Sequence, residues 1–221
     1  LWTMLAPIES IEALPTALPV FPLSGFLLLP RCQLPLHIFE PRYRAMLGDV
    51  LSSHGMMGMI QPLELEELEH PVLFKTGTVG RVISHKEMAD GRYYAILEGI
   101  CRFDIARELS LAEGGYREVL PSYDNYTEDL AEKFVEIPQR EQLMERFAEY
   151  SRAKQMTLAN ASLHELTDEE LLMVFCTGLP FSPEDKQALL EVPSAEERVQ
   201  LLLALLELES HGELFGSGFP Q

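Results

Sequence analysis

Two spacings in this chain have the form of chemistry. Ser151-Arg-Ala-Lys154 sets a lysine one helical turn from a serine, where an amine can take the proton of an attacking hydroxyl. His37-Ile-Phe-Glu40 pairs an imidazole with a carboxylate, both donors to divalent cations. Context argues against each. The Ser-Asp-Asn tripeptide that accompanies Ser-x-x-Lys in acyl-enzymes is missing, and Lys154 stands among Glu145, Glu149 and Arg152 as on a solvated helix face. In a strand, positions 37 and 40 fall on opposite faces, no third ligand is close, and His37 reads as a structural histidine. His54, His70, His85, His164 and His211 are scattered without ligand spacing, and no Gly-Lys dipeptide offers a phosphate-cradling loop. The expectation is therefore a chain with no catalytic residues, no metal and no cofactor.

The elements that would position any such residues change character near residue 127. Up to that point short apolar runs are broken by Gly, Pro and Asp-Gly, the punctuation of strands. Asp90-Gly91, between "TVGRVISHKEM" and "RYYAILEGICRFDIAREL", is the strongest hairpin signal, since both residue types tolerate positive φ. One helix interrupts at "EPRYRAMLGDVLSSHG": Pro41 suits a first helical position, Tyr43, Met46, Leu47, Val50 and Leu51 recur at helical spacing, and Gly55 is a stop. After the polar bridge "SYDNYTEDL" helices take over. Thr167-Asp-Glu-Glu170 and Ser194-Ala-Glu-Glu197 have the form of capping boxes, Ser182 precedes a proline at the first helical position, and Leu143, Phe147, Tyr150 and Met156 form an apolar side. The reading is α+β, with a β domain over 1–127 and a helical domain over 128–221.

Charge narrows the partners. Across 221 residues 17 Lys and Arg face 35 Asp and Glu, a net charge of −18 that repels phosphates. The basic residues form no cluster with interleaved aromatics, so a nucleic-acid partner is not expected. Up to residue 127 the chain carries 10 basic and 16 acidic residues, and beyond it 7 and 19, so most of the excess lies on helices whose first turns favour carboxylates. No apolar run reaches the ~20 residues of a membrane span, and "LWTMLAPIES" lacks the form of a signal peptide. Cys32, Cys101 and Cys176 are widely spaced and odd in number. They suggest buried thiols in a reducing, cytoplasmic setting.

The stretch that chemistry leaves over is "FPLSGFLLLPRCQLPLHIFEPRYRAML". Phe21, Leu27, Leu28, Leu29, Leu34, Leu36, Ile38 and Phe39 are core candidates, and a charge at Ile38 or Phe39 is expected to unfold the domain. Pro22, Pro30, Pro35 and Pro41 cannot donate ladder hydrogen bonds, so the strands here must be short, bent or at an edge. An apolar edge can receive an extended peptide.

"LPVFPLSGFLLLPRCQLPLHIFEPRYRAML" resembles the opening of the Lon N-terminal, or LON substrate-binding, domain. "TGTVGRVISHKEMADGRYYAILEGICRFDI" is similar to that family's Gly-Thr strand, hairpin and glycine-marked strand, and "LPFSPEDKQALLEVPSAEERVQLLLALLELE" to its helical segment. These three blocks follow one another in family order. The resemblance implies a PUA-like β-barrel-type domain followed by a helical bundle. It also implies a stand-alone LON-domain protein without the ATPase and Ser-Lys peptidase domains of Lon protease. The implied function is non-enzymatic recognition of exposed apolar or extended polypeptide segments. The alternative is a structural or adaptor subunit that binds a folded partner. The contacts expected for a protein ligand are His37, Glu40, Arg42 and Tyr43.

Overall fold

β5, Tyr93–Glu108, is 16 residues long and is the strand on which the N-terminal unit is assembled. In the computed structural model, residues 7–63, 71–131, 135–156 and 163–211 are described, and the chain divides into two compact units, 1–132 and 133–221. In chain order the first unit contains β1 (Leu18–Pro22), β2 (Gln33–Ile38), α1 (Pro41–Leu51), β3 (Met56–Ile60), β4 (Thr76–Glu87), β5 and β6 (Arg117–Ser122). The sheet order is β2-β5-β4-β3-β1-β6, and β6 also pairs with the second half of β5. Five strands thus close into a ring. β2 stays outside it, paired antiparallel with the first half of β5.

The parallel pair β1–β3 requires a crossover, and the segment holding β2 and α1 supplies it. α1 starts where Pro41 needs no hydrogen-bond partner, buries Tyr43, Met46, Leu47 and Val50, and packs on β1 and β3. Gly55 ends it in the left-handed region at φ +71°, its N–H donating to the Val50 carbonyl.

The ring is filled by Leu18, Val20, Met56, Ile60, Val79, Cys101, Phe103 and Val119, all buried. Both faces of early β4 are enclosed, Thr76 to Gly80 all being buried. Gly77 is required there. A Cβ on it would lie 2.6 Å from the Met59 carbonyl oxygen and 2.9 Å from the Phe103 ring. Beyond two bulges, β4 and β5 project as an arm whose tip is the Asp90-Gly91 turn. Only Gly91 is at positive φ, +76°, so the hairpin closes through a turn from Met88 to Gly91 with a glycine bulge, and a two-residue turn is not formed.

The stretch after β6 is more than a bridge. Asp124–Leu130 is a 3-10 segment held on the ring by a buried ion pair: Asp129 accepts from the Arg102 backbone N–H and Nε at 2.9 Å each and from Nη2 at 2.9 Å. The Arg102 guanidinium also lies over the Tyr126 ring, 4.7 Å from its centre. Tyr126 and Thr76 donate to Asp104, whose carboxylate is 3.4 Å from Lys75. The Cys101 thiol lies in the same interior, and burial, then the Asp129 charge, push it up to about 12. It is an inert thiol.

The second unit contains α2 (Arg140–Ala153), α3 (Asp168–Gly178), α4 (Pro183–Glu191) and α5 (Ala195–His211). The caps behave as their residue types require. Thr167 and Glu170 exchange both bonds of a capping box, while Ser182 and Ser194 each accept a backbone N–H, from Asp185 and Glu197. Leu143, Phe147 and Tyr150 of α2 are buried, and Phe147 stacks on Phe175 of α3 at 4.4 Å. Met156 lies past the end of α2 and is half-buried. No helix among the described residues is long and apolar enough to cross a membrane.

One core expectation fails. Ile38 is 1% exposed, whereas its neighbour Phe39 is 58% exposed. β2 has only one face against the interior, so Leu36 and Ile38 turn inward and Gln33, Pro35 and His37 outward. Phe39 continues the outward set. Apolar composition alone had assigned it to the core.

Candidate functional site

The register of β2 on β5 sets His37 opposite Tyr94, on the outer face of the sheet. Their rings stack at 4.7 Å, and Phe39, two residues on and on the same side, meets His37 at 5.7 Å. Tyr94 is 51% exposed, so three aromatic rings share an open surface. β4 extends the row: Lys86 is paired with Tyr94, and the next outward row is Pro35, Ile96 and Ser84. At the far end Arg81 Nη2 bonds Glu98 Oε2 at 2.8 Å.

Glu40, Arg42 and Tyr43 belong to a second feature. Arg42 Nε donates to Glu40 Oε2 at 3.0 Å and the guanidinium lies 4.6 Å from the centre of the Tyr43 ring. Tyr43 is buried and stacks on Phe21 at 4.2 Å, so its ring belongs to the core while it also lines a cleft of about 140 Å³. The cleft is also lined by Pro22, Pro62, Pro71, Tyr116 and Arg117. Arg117 holds Glu108 through two bonds of 2.6 and 2.7 Å and donates to the Pro71 carbonyl, and Tyr116 donates to Asp49. Burial pushes the Tyr43 phenol up, and burial with the Asp49 bond does so for Tyr116. Both hydroxyls therefore remain protonated, and among the described lining residues the arginines named are matched by carboxylates. The cleft can hold a small apolar or proline side chain. It offers no nucleophile.

The four residues singled out from sequence thus divide: Glu40, Arg42 and Tyr43 meet at the cleft, and His37 joins Phe39 and Tyr94 on the sheet. Sequence reasoning missed Tyr94, Tyr116 and Arg117. Tyr94 carried a period-two signal, but only the register pairs it with His37; Tyr116 and Arg117 stand at the entry to β6 and had no local signal.

The Ser-x-x-Lys spacing does not assemble. Ser151 Oγ is buried without a hydrogen-bond partner, and Lys154 pairs with Glu209 at 2.9 Å. Lys75-Thr76-Gly77, another tripeptide found in such acyl-enzymes, opens β4 with Thr76 bound to Asp104 and Gly77 against Phe103. Both are structural. No group of three His, Cys, Asp or Glu side chains that could hold a metal ion occurs among the described residues, and Cys32, Cys101 and Cys176 are buried thiols outside any disulfide.

The profile of the "ATP-dependent protease La (LON) substrate-binding domain" matches residues 17–207. The chain belongs to the LON substrate-binding domain family. Among curated relatives of this LON domain, Lon protease 2 of Syntrophobacter fumaroxidans is 27% identical over 198 residues, 86% of the chain and 24% of the relative. Lon protease of Brevibacillus choshinensis is 28% identical over 198 residues, 87% of the chain and 25% of the relative. The chain spans about a quarter of the length of these relatives. Among solved structures, a Lon N-terminal domain protein from Xanthomonas campestris matches with TM-score 0.58 and 23% identity, covering 86% of this chain and 98% of that one. The N-terminal domain of Mycobacterium avium complex Lon protease matches with TM-score 0.56 and 18% identity, over 86% and 98% of the two chains. At these identities the structural likeness speaks for the fold alone.

Proposed function

We propose that this LON domain is a non-enzymatic recognition module for exposed apolar or extended segments of other polypeptides. The observation that carries the reading is the exposed cluster of His37, Phe39 and Tyr94 at one margin of the sheet. Exposed stacked rings are costly to leave in water and supply large, rigid contact area at low entropic cost. Glu40, Arg42 and Tyr43 are proposed to add a small receptor for one side chain of the ligand, with Arg42 as its polar contact. A family of substrate-binding domains from an ATP-dependent protease agrees with a polypeptide ligand. The unpartnered Ser151 hydroxyl and the pairing of Lys154 with Glu209 support the absence of acyl-enzyme chemistry.

The test uses reduced, carboxymethylated α-lactalbumin as unfolded polypeptide and native α-lactalbumin as its folded control. Titration is expected to show binding of the unfolded form only, with the intact mass of that ligand unchanged. A Phe39→Ala/Tyr94→Ala double variant should weaken capture at least about fivefold, roughly 1 kcal/mol, while the melting temperature holds within a few degrees. Equal affinity for both forms, no binding of either, or full capture by the double variant would refute the reading.

A further inference from the structure

We propose that the open edge of β2 takes up an extended segment of another polypeptide as an additional strand, laying aromatic side chains on the His37–Phe39–Tyr94 cluster and an acidic residue beside Arg31. The inference rests on the recognition reading above and specifies its site and mode.

Among the described residues β2 pairs with β5 alone. In an antiparallel pair, directly opposed residues alternate between two that exchange backbone hydrogen bonds and two that do not, and the latter point their N–H and C=O away from the partner. The Gly99 N–H donates to the Cys32 carbonyl at 2.8 Å, which starts the alternation. From there Leu34, Leu36 and Ile38 bond to β5, and Gln33, Pro35 and His37 face outward with their backbone groups. Pro35 therefore occupies a position where a missing N–H removes nothing from the ladder. The outward edge keeps donors at Gln33 and His37 and acceptors at all three residues.

An extended backbone is the ligand that complements such an edge, since its donors and acceptors repeat with the same two-residue period. Its side chains would lie on the outer face beside His37, Phe39 and Tyr94. Charge fixes the flank. The chain as a whole is at −18, yet residues 31–44 contain Arg31, Arg42 and Arg44 against Glu40 alone. A second copy of this chain fits less well. Two such edges would bring their prolines together, each lacking a donor, on two strongly acidic molecules.

The probe is a fluorescently labelled nonapeptide of alternating threonine and phenylalanine with aspartate at both ends, titrated into the full chain by anisotropy. Two further peptides carry N-methyl groups on alternate residues, one set in each phase. A strand added at one edge presents only one set of N–H groups to it, so one methylated peptide should bind about tenfold or more weakly and the other within about twofold of the parent. Gln33→Pro should weaken the parent peptide by a similar factor. If that variant fails to fold, the methylated peptides decide on the unaltered chain.

Equal binding by both methylated peptides overturns the edge mode. So does capture of carboxymethylated α-lactalbumin without binding of the nonapeptide, an outcome that leaves the recognition reading standing. A dimer in sedimentation that Gln33→Pro dissolves would assign the edge to a second copy. Failure of both ligands to bind removes the recognition reading and this inference together.

Discussion

Replacing Ile38 and Phe39 singly by alanine should produce opposite results at adjacent positions. Ile38 is 1% exposed and lies on the inward face of β2, so Ile38→Ala removes buried methyl and methylene groups and leaves a cavity, at about 2–5 kcal/mol. Phe39 is 58% exposed. Full burial of such a ring is worth roughly 1.5–3 kcal/mol, and less than half of it is covered, so Phe39→Ala should cost about 1 kcal/mol or less. Against a total stability of ~5–15 kcal/mol, the first change is severe and the second minor. Native-state hydrogen exchange of the β5 amides opposite β2, at Tyr93, Ala95 and Leu97, reads the effect within the N-terminal unit of the full chain. Protection there should fall by the first amount in Ile38→Ala and by the second in Phe39→Ala. If the two variants agree within about 0.5 kcal/mol, the assignment of inward and outward faces to β2 is wrong.

Asp129→Ala should cost the N-terminal unit about 3–5 kcal/mol, because the Arg102 side chain, 5% exposed, would lose the carboxylate that accepts from its Nε and Nη2, and a loss under about 1 kcal/mol in the same exchange measurement would show that water reaches it. Asp168 should make the helical unit acid-sensitive: burial raises its carboxyl, but the Ile137 N–H and Arg140 outweigh this and hold it below 3.8. A depressed folded value stabilises above the unfolded one and is lost as pH falls through it, so the melting temperature of the unit should drop below about pH 4, and Asp168→Asn should flatten that drop; an unchanged pH profile in the variant would contradict the assignment.

Local signals were sufficient where structure is local. Pro41, Thr167 with Glu170, and Ser182 with Asp185 each satisfy or dispense with backbone groups inside a single turn, so α1, α3 and α4 begin where their residue types imply. Asp90-Gly91 marked the hairpin for the same reason, although the turn itself uses positive φ at Gly91 only. The family, too, was written in three ordered blocks of sequence. The sites were not, because they depend on contacts between strands distant in the chain. Ile38 and Phe39 are equally apolar, and what separates them is that β2 has β5 on one side, the interior on one face and water on the other. Tyr94 became a partner of His37 through a register that no single strand encodes, and Tyr116 and Arg117 reached Tyr43 because the ring closes through β6. Composition decides how much apolar surface must be covered; the closure of the sheet decides which of it remains uncovered, since burial is a property of the neighbours a residue acquires and alternation along one strand states only that two faces exist.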